Sequence, residues 1–178
     1  MNNWIYSTDE DNSARFLLGR EGEKGLLLTM GINPSTASPE KLDPTVTTVK
    51  NRAAELGYDG WCTINVYPQR STDPNGMDRR RNEALHKENL VQIVRFVDEQ
   101  RTAGKELALW AAWGALIKKR DYLPNCLFDI HSVLKPFGIK WLSIGKRTKE
   151  GHPHHPLYLK KGLPAEIFDV ETYLKTLM

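Results

Sequence analysis

Polar side chains able to do chemistry stand in this sequence where apolar runs stop. Asn33 and Pro34 come just after "GLLLTMG", and Ser35 and Thr36 follow them. Asn65 closes "WCTIN", and Arg70, Ser71 and Thr72 come next in the turn-rich "YPQRSTDPNGMD". Trp113 and Gly114 end "ELALWAAWG", while "GKRTKEGHPHHPLYLKK" carries Lys146, Arg147, Lys149, His152, His154 and His155. A carboxamide presents a donor and an acceptor side by side, which is how the edge of a heterocycle is read. Arginine, lysine and hydroxyl groups suit a phosphate. Gathered at one place, these groups would recognise a base or a nucleotide. Taken singly, each has a plainer reading. Asn33 before proline suits a turn, and Asn65 suits a loop cap. The basic runs at 79–81 and 118–120 suit solvated helix ends. The close-set histidines have the spacing of metal ligands, but they lack a cysteine or a pair of carboxylates to complete a set, so no metal is expected.

The elements that would position these residues follow from the apolar pattern. "WIYS" and "ARFLLGREG" read as an opening β-hairpin or edge strands, and "GLLLTMG" (25–31) as a buried strand. From Asp43 a helix is expected, with Asp43 as its N-cap, Pro44 as its first residue and Gly57 as its stop. "WCTINV" (61–66) is a second strand, and Asn82 to Arg101 a helix with Leu85, Leu90, Ile93, Val94 and Val97 on one face. "ELALWAAWG" is a third strand ending at Gly114, "PNCLFDIHSVLKPFG" a helix stopping at Gly138, "IKWLSIG" a fourth strand and "EIFDVETYLKTLM" a closing helix. Strands alternating with helices imply parallel pairing. The expectation is a three-layer α/β/α domain spanning 1–178, with a mainly parallel four-stranded central sheet and a short N-terminal hairpin. In such a sheet the ligand site lies at the carboxyl ends of the strands, where all the polar groups above fall.

Composition narrows the class. The 178 residues are 40% hydrophobic and 26% charged, which describes a folded chain and excludes disorder. A net charge of +3 allows an anionic partner without demanding one. The two cysteines, Cys62 and Cys126, cannot make a four-cysteine site and read as core thiols. No run approaches the roughly 18 apolar residues of a membrane span, and the N-terminus lacks the basic flank and apolar stretch of a signal peptide. A cytoplasmic protein with no membrane and no obligate protein partner is expected.

Several of these motifs resemble those of the uracil-DNA glycosylase superfamily. "GINPS" (31–35) is similar to the first motif of its mismatch-specific branch, "GINPG". "TINVYPQRSTDP" (63–74) is similar to the second strand and loop of its iron–sulfur branch, and "HHPLYL" (154–159) to the late "HPSYL" motif. The combination of "NPSTAS", "DPT", "RSTDP" and "HPLYL" also resembles a bacterial and phage family of unknown function. The resemblance implies a uracil-DNA-glycosylase-like fold and cleavage of an N-glycosidic bond to a base flipped from DNA, with no cofactor. Asn33 would orient the attacking water and His155 would donate to the departing base. Asn65 would read the base edge, with Pro34, Ser35, Thr36, Asp43, Thr45, Trp113 and Gly114 around it. Leu157 and Tyr158 would wedge into the duplex, and Arg70, Ser71, Thr72, Lys146, Arg147, Lys149, Lys160 and Lys161 would lie near phosphates. Ser35 replaces the motif's second glycine, and no aromatic residue between Thr36 and Val49 takes the place of the usual stacking ring. Two other readings remain open: a nucleotide- or nucleic-acid-binding module on the same fold, and a metal-dependent hydrolase built on the three histidines.

Overall fold

A computed structural model describes residues 3–178. The strands are β1 (Trp4–Thr8), β2 (Arg15–Arg20), β3 (Gly25–Gly31), β4 (Gly60–Asn65), β5 (Glu106–Ala111), β6 (Lys140–Ile144) and β7 (Ala165–Ile167). The helices are α1 (Pro44–Glu55), α2 (Glu83–Thr102), α3 (Leu123–Leu134) and α4 (Val170–Leu177). All seven strands form one mixed sheet in the order β1-β2-β4-β3-β5-β6-β7. The four inner strands run parallel, as their long helical connections require.

The sheet is thus wider than the four strands expected. The N-terminal hairpin is not a separate appendage, because β2 pairs antiparallel with β4 through Leu18–Thr63, Gly19–Cys62 and Arg20–Trp61. Gly19 permits that approach, since a Cβ there would stand 2.1 Å from the Trp61 carbonyl oxygen. At the other edge, Ala165–Ile167 pairs antiparallel with β6. The closing helix therefore starts four residues later than its apolar pattern suggests, at Val170, where Asp169 accepts a hydrogen bond from the Thr172 amide. The third inner strand ends at Ala111 and not at Gly114, which opens a 3-10 turn.

Burial follows the strand alternation. Leu26, Leu28, Met30, Cys62, Ile64, Leu107 and Leu109 pack with α2, α3 and α4. Leu27, Trp61, Ala108, Trp110, Leu142 and Ile144 pack on the other face with Val46, Val49 and Ala53 of α1. The result is three layers, with one helix on one face and three on the other. Both cysteines are buried and free, and burial raises the Cys62 thiol to about 12 and that of Cys126 to about 11, so neither is a nucleophile. Among the described residues no helix is long and apolar enough to cross a membrane.

Helix α1 is fastened to the chain that follows the late histidines. Buried Arg52 donates to the carbonyl oxygens of Lys160 at 2.7 Å and Leu163 at 3.3 Å, and pairs with Glu55 at 3.1 Å. Arg52→Ala leaves those carbonyls without their donor and is expected to cost about 2–3 kcal/mol. Urea unfolding measures the loss, and limited trypsin digestion should show faster cleavage after Lys160 or Lys161. An unchanged midpoint and cleavage pattern would mean that the clasp contributes nothing.

Candidate functional site

A cavity of about 440 Å³ opens at the carboxyl ends of the inner strands, between the sheet and the first turn of α1. That volume lies within the range of small-ligand pockets. Its floor comes from the sheet face that α1 covers. Thr29 of β3 lies in register with Thr63 of β4 and Trp110 of β5, and Arg15 of β2 extends the row, donating to Thr63 Oγ1 at 3.2 Å and the Ala37 carbonyl at 3.1 Å. Polar groups on an otherwise apolar face need partners. Yet Arg15 Nε and Thr29 Oγ1 are buried with no hydrogen-bond partner. Burial, then repulsion from Arg70, brings the Arg15 guanidinium down to about 10, so it still carries its charge at neutral pH.

Asn65 forms the next tier. Its backbone carbonyl accepts from Asn89 Nδ2 of α2 at 3.0 Å, which anchors the end of β4, while its own side-chain Nδ2 is buried without a partner. Gly31 stands in register beside it, and a Cβ at Gly31 would meet Asn65 Oδ1 at 3.2 Å. A glycine ends the strand because anything larger presses on that amide.

Asn33 sits on the rim. Its Nδ2 donates to the carbonyl oxygens of Ser71 at 2.9 Å, Pro34 at 3.1 Å and Gln69 at 3.3 Å. The amide nitrogen thus stitches the loop after β4 to the turn after β3, leaving Oδ1 as the group available to a ligand. His155 faces the same space. Its Nδ1 accepts from the Leu157 amide at 3.3 Å, so the neutral ring carries its proton on Nε2. Burial lowers its pKa, against the pull of the Asp43 carboxylate, and the ring is held as a neutral donor.

The other expected residues divide into three groups. Pro34, Ser35, Thr36, Asp43, Thr45, Ser71, Thr72 and Leu157 line the cavity, with Ser35 Oγ and Thr72 Oγ1 2.9 Å apart across its mouth. Asp43 caps α1 through Val46 N at 2.8 Å. Lys146, Arg147, Lys149, Tyr158 and Lys160 are exposed outside it, Arg147 stacking over the Phe168 ring at 4.4 Å. Trp113, Gly114 and Arg70 are committed to the protein itself. The Trp113 ring is buried among Trp141, Phe168 and Tyr173 and donates to Tyr173 Oη at 2.9 Å, so it does not stack on a ligand. Gly114 donates to the Pro153 carbonyl at 2.8 Å. Arg70 donates to Ser35 and Ala37 carbonyls, Tyr6 Oη and Asn12 Oδ1, which occupies its guanidinium and removes it from any phosphate.

His152 also turns away, its Nδ1 2.8 Å from Tyr173 Oη. Among the described residues no group of three His, Cys, Asp or Glu side chains could hold a metal. The floor residues Arg15, Thr29 and Thr63 and the α1 wall of Val46 and Val49 lie outside the strand-end reading. Their signal is an arginine and threonines inside buried strands, "RFLLG", "LLLTMG" and "WCTIN". A family model described as "Protein of unknown function (DUF1643)" matches residues 15–157. No curated protein and no solved structure matches the chain.

Proposed function

The chain belongs to the DUF1643 family of proteins of unknown function, and from its cavity we propose a glycosylase-type hydrolase acting on a uracil-like or modified base flipped out of DNA. One observation carries this reading: Asn33, Asn65 and His155, from the ends of two strands and the loop after a third, line a single cavity with room for a base. Asn65 brings a buried donor that the protein itself does not use. Water adds to C1′ of the sugar as the C1′–N bond breaks, and the bonding pair leaves on the base. Asn33 Oδ1 accepts a hydrogen bond from that water and orients it. An amide cannot take the proton, so the added water loses it to solvent, the base anion gains one from solvent to become the free base, and the barrier falls mainly through charge stabilisation on the departing base. The Nε2–H of His155 supplies it, and Asn65 Nδ2 holds the base edge. Exposed Leu157 and Tyr158 and the lysines around them suit contact with the strand outside the pocket.

The test is release of free base from labelled oligonucleotides carrying uracil, hypoxanthine, mismatches or modified pyrimidines. Wild type should release one of them, and Asn65→Ala should lower release by about 10²-fold. One observation favours a non-hydrolytic nucleotide-binding module: the only ring of a Trp, Tyr or Phe among the lining residues, Trp113, is turned into the core. Binding of nucleotide that depends on Asn65, with no base released from any substrate, would replace the glycosylase reading with that one.

A further inference from the structure

The floor of the cavity asks for more than a neutral base. Thr29 and Thr63 lie two residues before the Gly31–Asn65 pair on their strands, roughly 6–7 Å deeper at strand rise. A ligand that meets Asn33 and His155 at the mouth and Asn65 part-way down therefore has its far edge against Thr29 and Arg15. Three residues lining this space carry a buried polar atom without a partner: Arg15 Nε, Thr29 Oγ1 and Asn65 Nδ2. Two of the three can only donate, and a hydroxyl can donate as well. Thr63 Oγ1 is already occupied, accepting from Arg15 and donating to the Leu18 carbonyl at 3.1 Å. Arg15 is 3% exposed and enters no ion pair among the described residues; the Asp43 carboxylate, which lines the same cavity and caps α1, acts on it only through space.

A buried guanidinium with no carboxylate in contact costs stability unless an anion meets it. We propose that the base taken by this cavity carries an acidic substituent of the carboxylate class, seated against Arg15 Nε and Thr29 Oγ1. The inference rests on the base-binding reading above and names its substrate class. A planar carboxylate matches the edge of a guanidinium, and its second oxygen reaches the threonine hydroxyl. Uracil and its neutral derivatives offer these donors at most a neutral acceptor and leave the guanidinium charge unmatched.

The test is calorimetric titration of the full chain with 5-carboxyuracil, uracil, 5-hydroxymethyluracil and orthophosphate. The wild type should bind 5-carboxyuracil at least about tenfold more tightly than either neutral base. Arg15→Gln should abolish that preference. Thr29→Val should reduce it while leaving thermal stability equal to or above wild type, because it deletes a hydroxyl the unliganded protein does not pair. If Arg15→Gln fails to fold, the wild-type comparison and Thr29→Val still decide. Equal affinity for the carboxylated and neutral bases would overturn the inference and leave the base-binding reading standing. Orthophosphate competing at the affinity of 5-carboxyuracil would also overturn it, assigning the floor to a nucleotide phosphate. Binding of no base at all would remove the reading beneath it as well.

Discussion

Asn33→Asp is expected to lose turnover and about 2–4 kcal/mol of stability, although it supplies the general base that asparagine lacks. The reason lies in the direction of the amide. Its Nδ2 donates to three backbone carbonyls, those of Pro34, Gln69 and Ser71, and these bonds join the loop after β4 to the turn after β3. A carboxylate turns an oxygen toward the same three oxygens. Repulsion then opens the rim that places Ser71 and Thr72 at the cavity mouth. Asn33→Ala leaves the carbonyls unpaired without repelling them and should cost less, about 1–3 kcal/mol. Urea unfolding of the three proteins checks the order, wild type above Ala above Asp. An Asp variant as stable as wild type and faster in base release would show that Asn33 neither ties the loops nor acts through Oδ1.

His155→Ala should reduce base release by about 10²–10³-fold, the usual loss when one stabilising donor is removed from a developing charge. His155→Gln, whose amide nitrogen approximates Nε2, should recover part of it. The pH dependence follows from the Leu157 amide, which donates to Nδ1 and so requires the neutral ring. Burial lowers the folded-state pKa below the ordinary histidine value of 6.5, so the donor form persists into mildly acid solution. The acid limb of kcat/KM should therefore lie below pH 6.5 in wild type and vanish in His155→Gln.

Stability has the same sign but a different window. Just below pH 6.5 the unfolded chain binds protons that the folded chain refuses, so stability is full above that pH and falls as the pH drops toward the folded-state value. His131 and His152 are also lowered by burial and act in the same direction. Urea midpoints at pH 7.5 and 5.5 should fall with acidification, and less so in His155→Gln. An acid limb centred at or above pH 6.5 would remove the neutral-donor role.

The inner strands, α1 with its Asp43 cap, α2 and α3 were legible because each is announced locally, by an apolar run or a 3.6-residue pattern bounded by a cap or a glycine. The site's location was legible for a related reason. Parallel strands must end on the same side, so Asn33, Asn65 and the loop that carries His155 had to converge once the connections were recognised as helical. The width of the sheet was not legible, because β2 pairs antiparallel with β4, distant in sequence, and β7, which pairs with the strand just before it, is three residues long and overlaps a run that reads as helix.

Tertiary packing alone decided which side chains at those ends belong to the cavity. Trp113 and His152 share a hydrogen-bonded core with Tyr173, some 60 and 21 residues further on, and Arg70 clasps the hairpin and the turn after β3. Each has the residue type of a ligand contact and serves the fold instead. Arg15 shows the reverse, standing inside a strand that reads as structural while its Nε lies unpartnered at the cavity floor. Residue type and period dictate where the chain is regular and where the strands end. Whether a polar atom is spent within the protein or left for a ligand depends on neighbours brought from distant sequence, and only the folded arrangement contains that information.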